Sequence, residues 1–333
     1  MTSRRTTRDD VARLAKTSTA VVSYVVNDGP RNVSPELRAR VVAAMDSLGY
    51  YPNAIARSLA ATESRTLGMI VPNINNSYFA ELALAVEESA LGRDRLLFLG
   101  NSNETEEREQ EYIRTFIEQR VDGIIIIGVA LRSSIERAGL SGVPVVVVDR
   151  ALANSDARTV SIDHRAAAYS ATKHLIEHGH REIACLTGPE NQLVAEDRRQ
   201  GWSDALRDSG INPATQLVVR SPFSLEGGAT AFDALDAVPR AMFVASDEQA
   251  RGVIAAASRR SVSVPADVAL VSVDGTREGE FSNPALTTVR QPYSALADAA
   301  VASVLGITAP DTHVVVATEL CIRQSCGCPQ NQK

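Results

Sequence analysis

Two unbroken runs of β-branched residues, Ile124-Ile125-Ile126-Ile127 and Val145-Val146-Val147-Val148, constrain the fold more than any other feature of the chain. A strand that is apolar at every position leaves no face for water, so it belongs in a parallel sheet covered on both sides. From Leu67 onward such runs alternate with helical stretches. Strands are expected at 67–72, 96–100, 123–129, 145–149, 160–163, 183–187, 217–220, 241–246 and 268–274. The alternation predicts two α/β lobes rather than one mixed sheet.

Ligands of open α/β sheets lie beyond the carboxyl ends of the strands, so the polar residues there are the candidate binding groups. Asn73, Asn76, Tyr78 and Phe79 follow the first strand, Asp149-Arg150 ends the fourth and Asp163 the fifth. Arg198 stands in Arg198-Arg199-Gln200-Gly201-Trp202. Ser246-Asp247 and Asp274 end two later strands, and Gln291 follows Thr287-Thr288-Val289-Arg290. Carboxylates and arginine take the hydroxyls of a sugar as acceptors and donors, while an aromatic face covers its C–H side. Phe223 and Phe281 are expected to wall such a pocket.

The first 62 residues are different in kind. They carry nine Arg and Lys against five Asp and Glu, a balance of +4, whereas the rest of the 333-residue chain stands at −10. A basic head on an acidic body suits a small domain that meets a polyanion, although the whole chain is at −6. Asp9 and Asp10 open a helix with Val11, Leu14 and Ala15 on one face. Ser18 is placed to cap a second helix, which stops at Asn27-Asp28-Gly29-Pro30. Ser34-Pro35 starts a third, with Leu37, Val41, Met45 and Leu48 at helical spacing before Gly49. Two helices joined by a tight turn and backed by a third form a helix-turn-helix unit.

Asp10-Val11-Ala12-Arg13-Leu14-Ala15, Ser18-Thr19-Ala20-Val21-Val22-Ser23-Tyr24-Val25-Val26-Asn27, Val33-Ser34-Pro35-Glu36 and Leu48-Gly49-Tyr50-Tyr51-Pro52-Asn53-Ala54-Ile55-Ala56-Arg57-Ser58-Leu59 resemble, in order, the LacI/GalR family of bacterial transcription regulators. The resemblance implies that the second helix enters the major groove, with Thr19 and Ala20 at the specificity positions and Tyr24 where many members carry Arg. Ser23 and Asn27 are then phosphate or capping contacts, and Val11, Val22 and Val26 are core. It further implies a hinge helix over 52–61, in which Leu59 pairs with its dimer mate as a minor-groove wedge beside Asn53 and Arg57. In the body, Asn76, Tyr78, Phe79, Asp149-Arg150, Arg198, Asp274 and Gln291 resemble the ribose-binding type of effector site, except that Ser246 stands where that type has Asn. The implied organisation is a headpiece (1–51), a hinge and linker (52–66) and a type I periplasmic-binding-protein-like body (67–330). Its lobes are about 67–160 plus 291–317, and about 161–290 plus 318–328.

Other chemistries find less support. Cys326-Gly327-Cys328, with Cys321, lacks a second ligand pair at zinc spacing, and Gly179 interrupts the face shared by His174, His178 and His180. No metal and no cofactor are therefore expected. Four cysteines without a signal peptide suit a reducing cytoplasm. No apolar run approaches the ~18 residues of a membrane span. Nucleotide-binding glycine loops and the nucleophile elbow are absent, so Asp149, Asp163 and Asp274 are read as binders rather than acid–base catalysts. The expected protein is a homodimeric repressor released from a palindromic operator by a pentose-like sugar. A co-repressed regulator that binds a purine or another metabolite, a sugar-transport protein and an α/β enzyme are the competing readings. The family's tetramers use a leucine-rich C-terminal helix, which Cys328-Pro329-Gln330-Asn331-Gln332-Lys333 does not resemble.

Overall fold

The computed structural model describes residues 6–27, 32–50, 64–127, 132–149, 157–190, 192–307 and 313–328. The chain divides into two compact units, Met1–Ser64 and Arg65–Lys333.

The described residues of the first unit form three helices: α1 (Arg8–Leu14), α2 (Thr19–Asn27) and α3 (Pro35–Leu48). Their starts follow from capping chemistry. Thr7 and Asp10 exchange side-chain-to-backbone bonds in a capping box, Ser18 Oγ accepts from the Val21 amide, and Ser34 Oγ accepts from the Leu37 amide ahead of Pro35. Val11, Ala12, Ala15, Val22, Val25, Val41 and Ala44 form the core, with Val26, Met45 and Leu48 packed against it. Leu14, expected inside, is 52% exposed: the inward face of α1 is completed by Ala12 instead.

The described residues of the second unit form two six-stranded sheets. The first comprises β1 (Thr66–Val71), β2 (Leu96–Asn101), β3 (Gly123–Ile127), β4 (Val145–Val148), β5 (Arg158–Ile162) and β11 (His313–Val316), all parallel, in the order β11-β5-β4-β3-β1-β2. The second comprises β6 (Ile183–Thr187), β7 (Val218–Arg220), β8 (Ala241–Val244), β9 (Ala269–Asp274), β10 (Thr288–Arg290) and β12 (Glu319–Cys321), in the order β12-β10-β9-β8-β6-β7. Its β10–β12 pair is antiparallel. The short strands β10 (Thr288-Val289-Arg290) and β12 (Glu319-Leu320-Cys321) carry a single aliphatic residue each, and β11 only three valines after His313, so none stands out as an apolar run. Val129 lies outside the described residues.

Burial accounts for the isoleucine run. Ile124 and Ile126 pack with Ile113 and Phe116 of helix α5 (Glu106–Glu118) on one face of the sheet. Ile125 and Ile127 join Leu82 and Val86 of α4 (Ser77–Leu91) on the other. At about 1.5–3 kcal/mol per fully buried side chain, the period-one pattern is itself the stabilising device. Helix α6 (Arg132–Leu140) precedes β4. After β5 the chain passes to the second sheet through α7 (His164–Glu177), α8 (Leu193–Asp208) follows β6, and after β10 the chain returns through α12 (Tyr293–Val304). Between them lie α9 (Leu225–Asp233), α10 (Asp247–Arg259) and α11 (Arg277–Glu280). Helices α7 and α8 approach closely because position 201 is glycine: a Cβ there would stand 2.0 Å from the Arg165 carbonyl oxygen.

Candidate functional site

The carboxyl ends of β4, β9 and β10, the first turns of α4 and α7 and the second turn of α8 bring six polar side chains into one closed ring. The Tyr78 hydroxyl donates to Asp149 Oδ1 at 2.8 Å and lies 3.4 Å from Gln291 Oε1. Gln291 Nε2 donates to Asp274 Oδ1 at 2.9 Å, and Arg198 Nη2 pairs with the same oxygen at 3.3 Å. Arg198 also donates to the Ala245 carbonyl and, at 3.3–3.4 Å, to His164 Nδ1. His164 Nε2 closes the ring by donating to the Asp149 carbonyl at 2.8 Å.

All six residues are buried. Burial, with Arg198 alongside, pulls the His164 imidazole down to about 4. It is therefore neutral, protonated at Nε2 and accepting at Nδ1, the tautomer its two partners require. Burial, reinforced by Asp247, pushes Asp274 up to about 7 against the opposing pull of Arg198. Tyr78 is held well above its ordinary range by burial and by Asp149. Both ring aspartates have positive φ, +74° at Asp149 and +132° at Asp274. Such conformations cost of order 1–3 kcal/mol and concentrate where a strand end must aim a side chain at a ligand.

Aromatic groups border the ring. Phe79 packs edge-on against Tyr78 with centroids 5.1 Å apart, and the Arg198 guanidinium lies 5.9 Å from the Phe223 centroid. Hydrogen bonds join the start of α4 to the second lobe: Asn76 Nδ2 donates to the Phe223 carbonyl at 3.2 Å, Ser77 donates through its amide and hydroxyl to Glu248 Oε1, Arg251 Nη1 donates to Ser77 Oγ, and the Arg277 amide donates to Glu81. A group bound at the ring therefore sits where the lobes meet.

Several expected residues have other tasks. Asp247 is fully buried, and its carboxylate accepts from the Ser272, Thr288 and Thr276 hydroxyls and the Thr276 amide. Four donors occupy its lone pairs, so it braces the strand ends and does not receive a ligand hydroxyl. Ser246 caps α10 through the Gln249 amide, exposed Asp163 caps α7 through the Ala166 amide, and Asn73 closes a turn through the Asn75 amide. Phe281 does not wall the site: it is 75% exposed and lies over Arg277. Arg150 lies outside the described residues. The sequence reading missed His164, Ser77, Glu248 and Tyr293, whose hydroxyl donates to the Asp274 carbonyl at 3.0 Å. Position offered the available signal, since His164 directly follows a strand end.

In the first unit, α2 turns Val22 and Val25 inward and leaves Thr19 and Ala20 exposed, with Ser23 and Tyr24 half-buried one turn on. Helical spacing puts these four on one side, the arrangement a recognition helix requires. Asn27 ends α2, but its side chain is outside the described residues, as are Asn53, Arg57 and Leu59.

Comparison with known proteins gives a consistent result. Residues 7–53 match the family model "Bacterial regulatory proteins, lacI family", and residues 64–318 match "Periplasmic binding proteins and sugar binding domain of LacI family". The chain is 36% identical over 288 residues to catabolite control protein A of Priestia megaterium, covering 85% of this chain and 86% of that one. It is 34% identical over 305 residues to the ribose operon repressor of Escherichia coli K12, covering 89% and 91%. The lac repressor dimer bound to operator and the anti-inducer ONPF superposes with a TM-score of 0.83 at 26% identity, over 97% of this chain and 99% of that one.

Proposed function

The chain belongs to the LacI family of bacterial transcription regulators, and from that premise we propose that it is a cytoplasmic repressor whose operator affinity is lowered by a pentose of the ribose type. Its class is a DNA-binding regulator with a small-molecule effector, not an enzyme.

The observation that carries the effector assignment is the buried ring. It offers two carboxylates, one guanidinium and one carboxamide within a single hydrogen-bonded circuit, bordered by Tyr78, Phe79 and Phe223. A ring of sugar hydroxyls both donates and accepts, so it can replace these mutual bonds one for one. An apolar metabolite would leave them broken, at about 1–3 kcal/mol for each orphaned group. Similarity to a ribose operon repressor supports ribose in particular. Calorimetric titration with ribose, arabinose, glucose, adenosine and hypoxanthine tests this assignment. Saturable 1:1 binding of a pentose is expected, and binding of the purine alone would make the protein a co-repressed regulator.

For DNA, α2 presents Thr19, Ala20, Ser23 and Tyr24. Thr19 offers a hydrogen bond to a base edge and Ala20 a methyl contact, while Tyr24 supplies no bidentate guanine contact. Asn53, Arg57 and Leu59 belong, in this account, to a hinge over 52–66 between a 1–51 headpiece and the 67–330 body, with Leu59 as the minor-groove wedge. The active form is a homodimer, so that two headpieces read two half-sites. Exposed Leu84, Leu91, Leu96, Phe98 and Leu99 on α4 and β2 give the first lobe the apolar surface that such pairing would cover. Effector and operator act on each other by differential affinity for two states, which makes their influence reciprocal.

A further inference from the structure

We propose a thiophilic metal site, for Zn²⁺ or a cation of like ligand preference, built from His174 of α7, His178 that caps its C-terminus and Cys328 of the C-terminal segment, with Cys326 as the adjoining thiol. The sequence separates these pairs by about 150 positions and each alone is a poor metal signature. The fold brings them together. Cys328 Sγ is 3.2 Å from His174 Nε2 and 3.1 Å from His178 Nε2, and Cys326 Sγ is 3.1 Å from Cys328 Sγ. One ligand atom from each of His174, His178 and Cys328 falls within 4.8 Å of the others.

Each half is arranged by local structure. His174 and His178 stand four apart at the C-terminal end of α7, which stacks their rings on one face with centroids 4.6 Å apart. Gly327 adopts φ +79°, a conformation that folds the Cys-Gly-Cys segment back and brings its two sulfurs together. Thr287 Oγ1 donates to Cys326 Sγ at 3.2 Å, a bond that supports a thiolate at that position. All four cysteines of the chain are free thiols.

Two imidazoles and two thiols are the donor set of closed tetrahedral zinc sites, with metal–sulfur distances of about 2.3 Å and metal–nitrogen distances of about 2.0–2.1 Å. A tetrahedron of those dimensions has nitrogen–sulfur and sulfur–sulfur edges of roughly 3.5–3.8 Å, so an ion would open the present contacts by about half an ångström. Exposed His178 and half-buried Cys328 can accommodate that, and they provide the entry path, while His174 and Cys326 are buried. The site lies at the opposite end of α7 from His164, roughly 20 Å along the helix, so it is separate from the effector ring. Its occupant would clip the C-terminal segment to α7.

Cobalt serves as the spectroscopic probe. The full chain, reduced and freed of metal with a chelator, is titrated with Co²⁺ and then with Zn²⁺. The expected result is one equivalent bound, with a sulfur-to-cobalt charge-transfer band and the visible bands of tetrahedral cobalt, both removed by one equivalent of Zn²⁺. His178→Ala, a change at an exposed position, should weaken Zn²⁺ binding at least tenfold, and Cys328→Ser should weaken Zn²⁺ binding likewise and cut the charge-transfer band to about half, the share of the remaining Cys326 thiolate. Zn²⁺ should also raise the melting temperature of the wild type and not of H178A. Zinc affinity equal in wild type, H178A and C328S would overturn the proposal. So would a chain that binds no cobalt because Cys326 and Cys328 form a disulfide that resists reduction.

Discussion

Replacing Arg198 by Met removes the cation of the effector ring while keeping much of its volume. Arg198 donates to Asp274, to the Ala245 carbonyl and to His164, all of them buried. Removing one partner of a buried ion pair costs about 3–5 kcal/mol when the other is left charged. Asp274 need not stay charged: its carboxyl already lies at about 7, and it keeps bonds from Gln291 Nε2 at 2.9 Å and the Asp247 amide at 3.2 Å. Without Arg198 it rises further and takes up a proton at neutral pH, so the expected loss at pH 7 is about 2–3 kcal/mol. For a unit of this size that corresponds to a melting-temperature fall of about 4–10 °C.

The sign of the pH dependence makes the prediction specific. A carboxyl whose pKa is higher folded than unfolded binds its proton more tightly in the folded state. Its contribution is complete below the unfolded value, near 3.8, and is lost as pH rises through the folded value. In the wild type that loss ends just above pH 7. In Arg198→Met it continues upward, so the stability gap between the two should widen from pH 7 to pH 9, by at most about 1.4 kcal/mol per pH unit. Urea unfolding followed by the fluorescence of Trp202, the single tryptophan and one buried in the second lobe, measures this directly. A gap that stays constant between pH 6 and pH 9 would refute the assignment of the titration to Asp274.

Three further substitutions test separate parts of the account. Tyr78→Phe removes the hydroxyl bonded to Asp149 and should cost about 1–2 kcal/mol of effector binding, roughly tenfold in affinity, read by calorimetry. Gly201→Ala sets a methyl 2.0 Å from the Arg165 carbonyl oxygen, so α7 and α8 must separate; a loss of about 1–3 kcal/mol in urea unfolding is expected. Ser34→Ala deletes the cap of α3 and should lower headpiece stability by about 1 kcal/mol, seen as earlier loss of its amide protection in hydrogen exchange.

How much of this was legible in the sequence depended on whether the signal was local. The Ile and Val runs gave their strands directly, because burial on both faces of a sheet writes itself as uninterrupted apolar residues. The caps Ser18 and Ser34 were equally readable, since a cap acts within three residues. Strand-end position located Tyr78, Asp149, Asp274 and Gln291, the resemblance to the ribose-binding type of site added Arg198 of α8, and the fold joins these five in one ring. The same rule also picked Asp247, Ser246 and Asp163, because a strand end looks alike whether its side chain faces a ligand, braces a neighbouring strand or caps the next helix. Only the three-dimensional partners separate those roles. His164 follows a strand end just as Asp163 does, yet only its contacts with Asp149 and Arg198 show its role, and Glu248 is recognised only by its bonds to Ser77, far away in the sequence. The thiol and imidazole pairs of the C-terminal cluster were dismissed singly because each lacked, within its own neighbourhood, the partner that the fold supplies from the far end of the chain.

The central claim is that one chain couples operator binding to occupation of the Asp149–Arg198–Asp274 ring. The direct measurement is the fluorescence anisotropy of a labelled operator duplex, selected from a random pool by the protein itself, titrated with the full chain at fixed salt with and without saturating ribose. The account predicts an operator affinity weakened at least tenfold by ribose in the wild type and unchanged by ribose in Arg198→Met. Operator binding that ribose tightens or leaves unaltered in the wild type would contradict it.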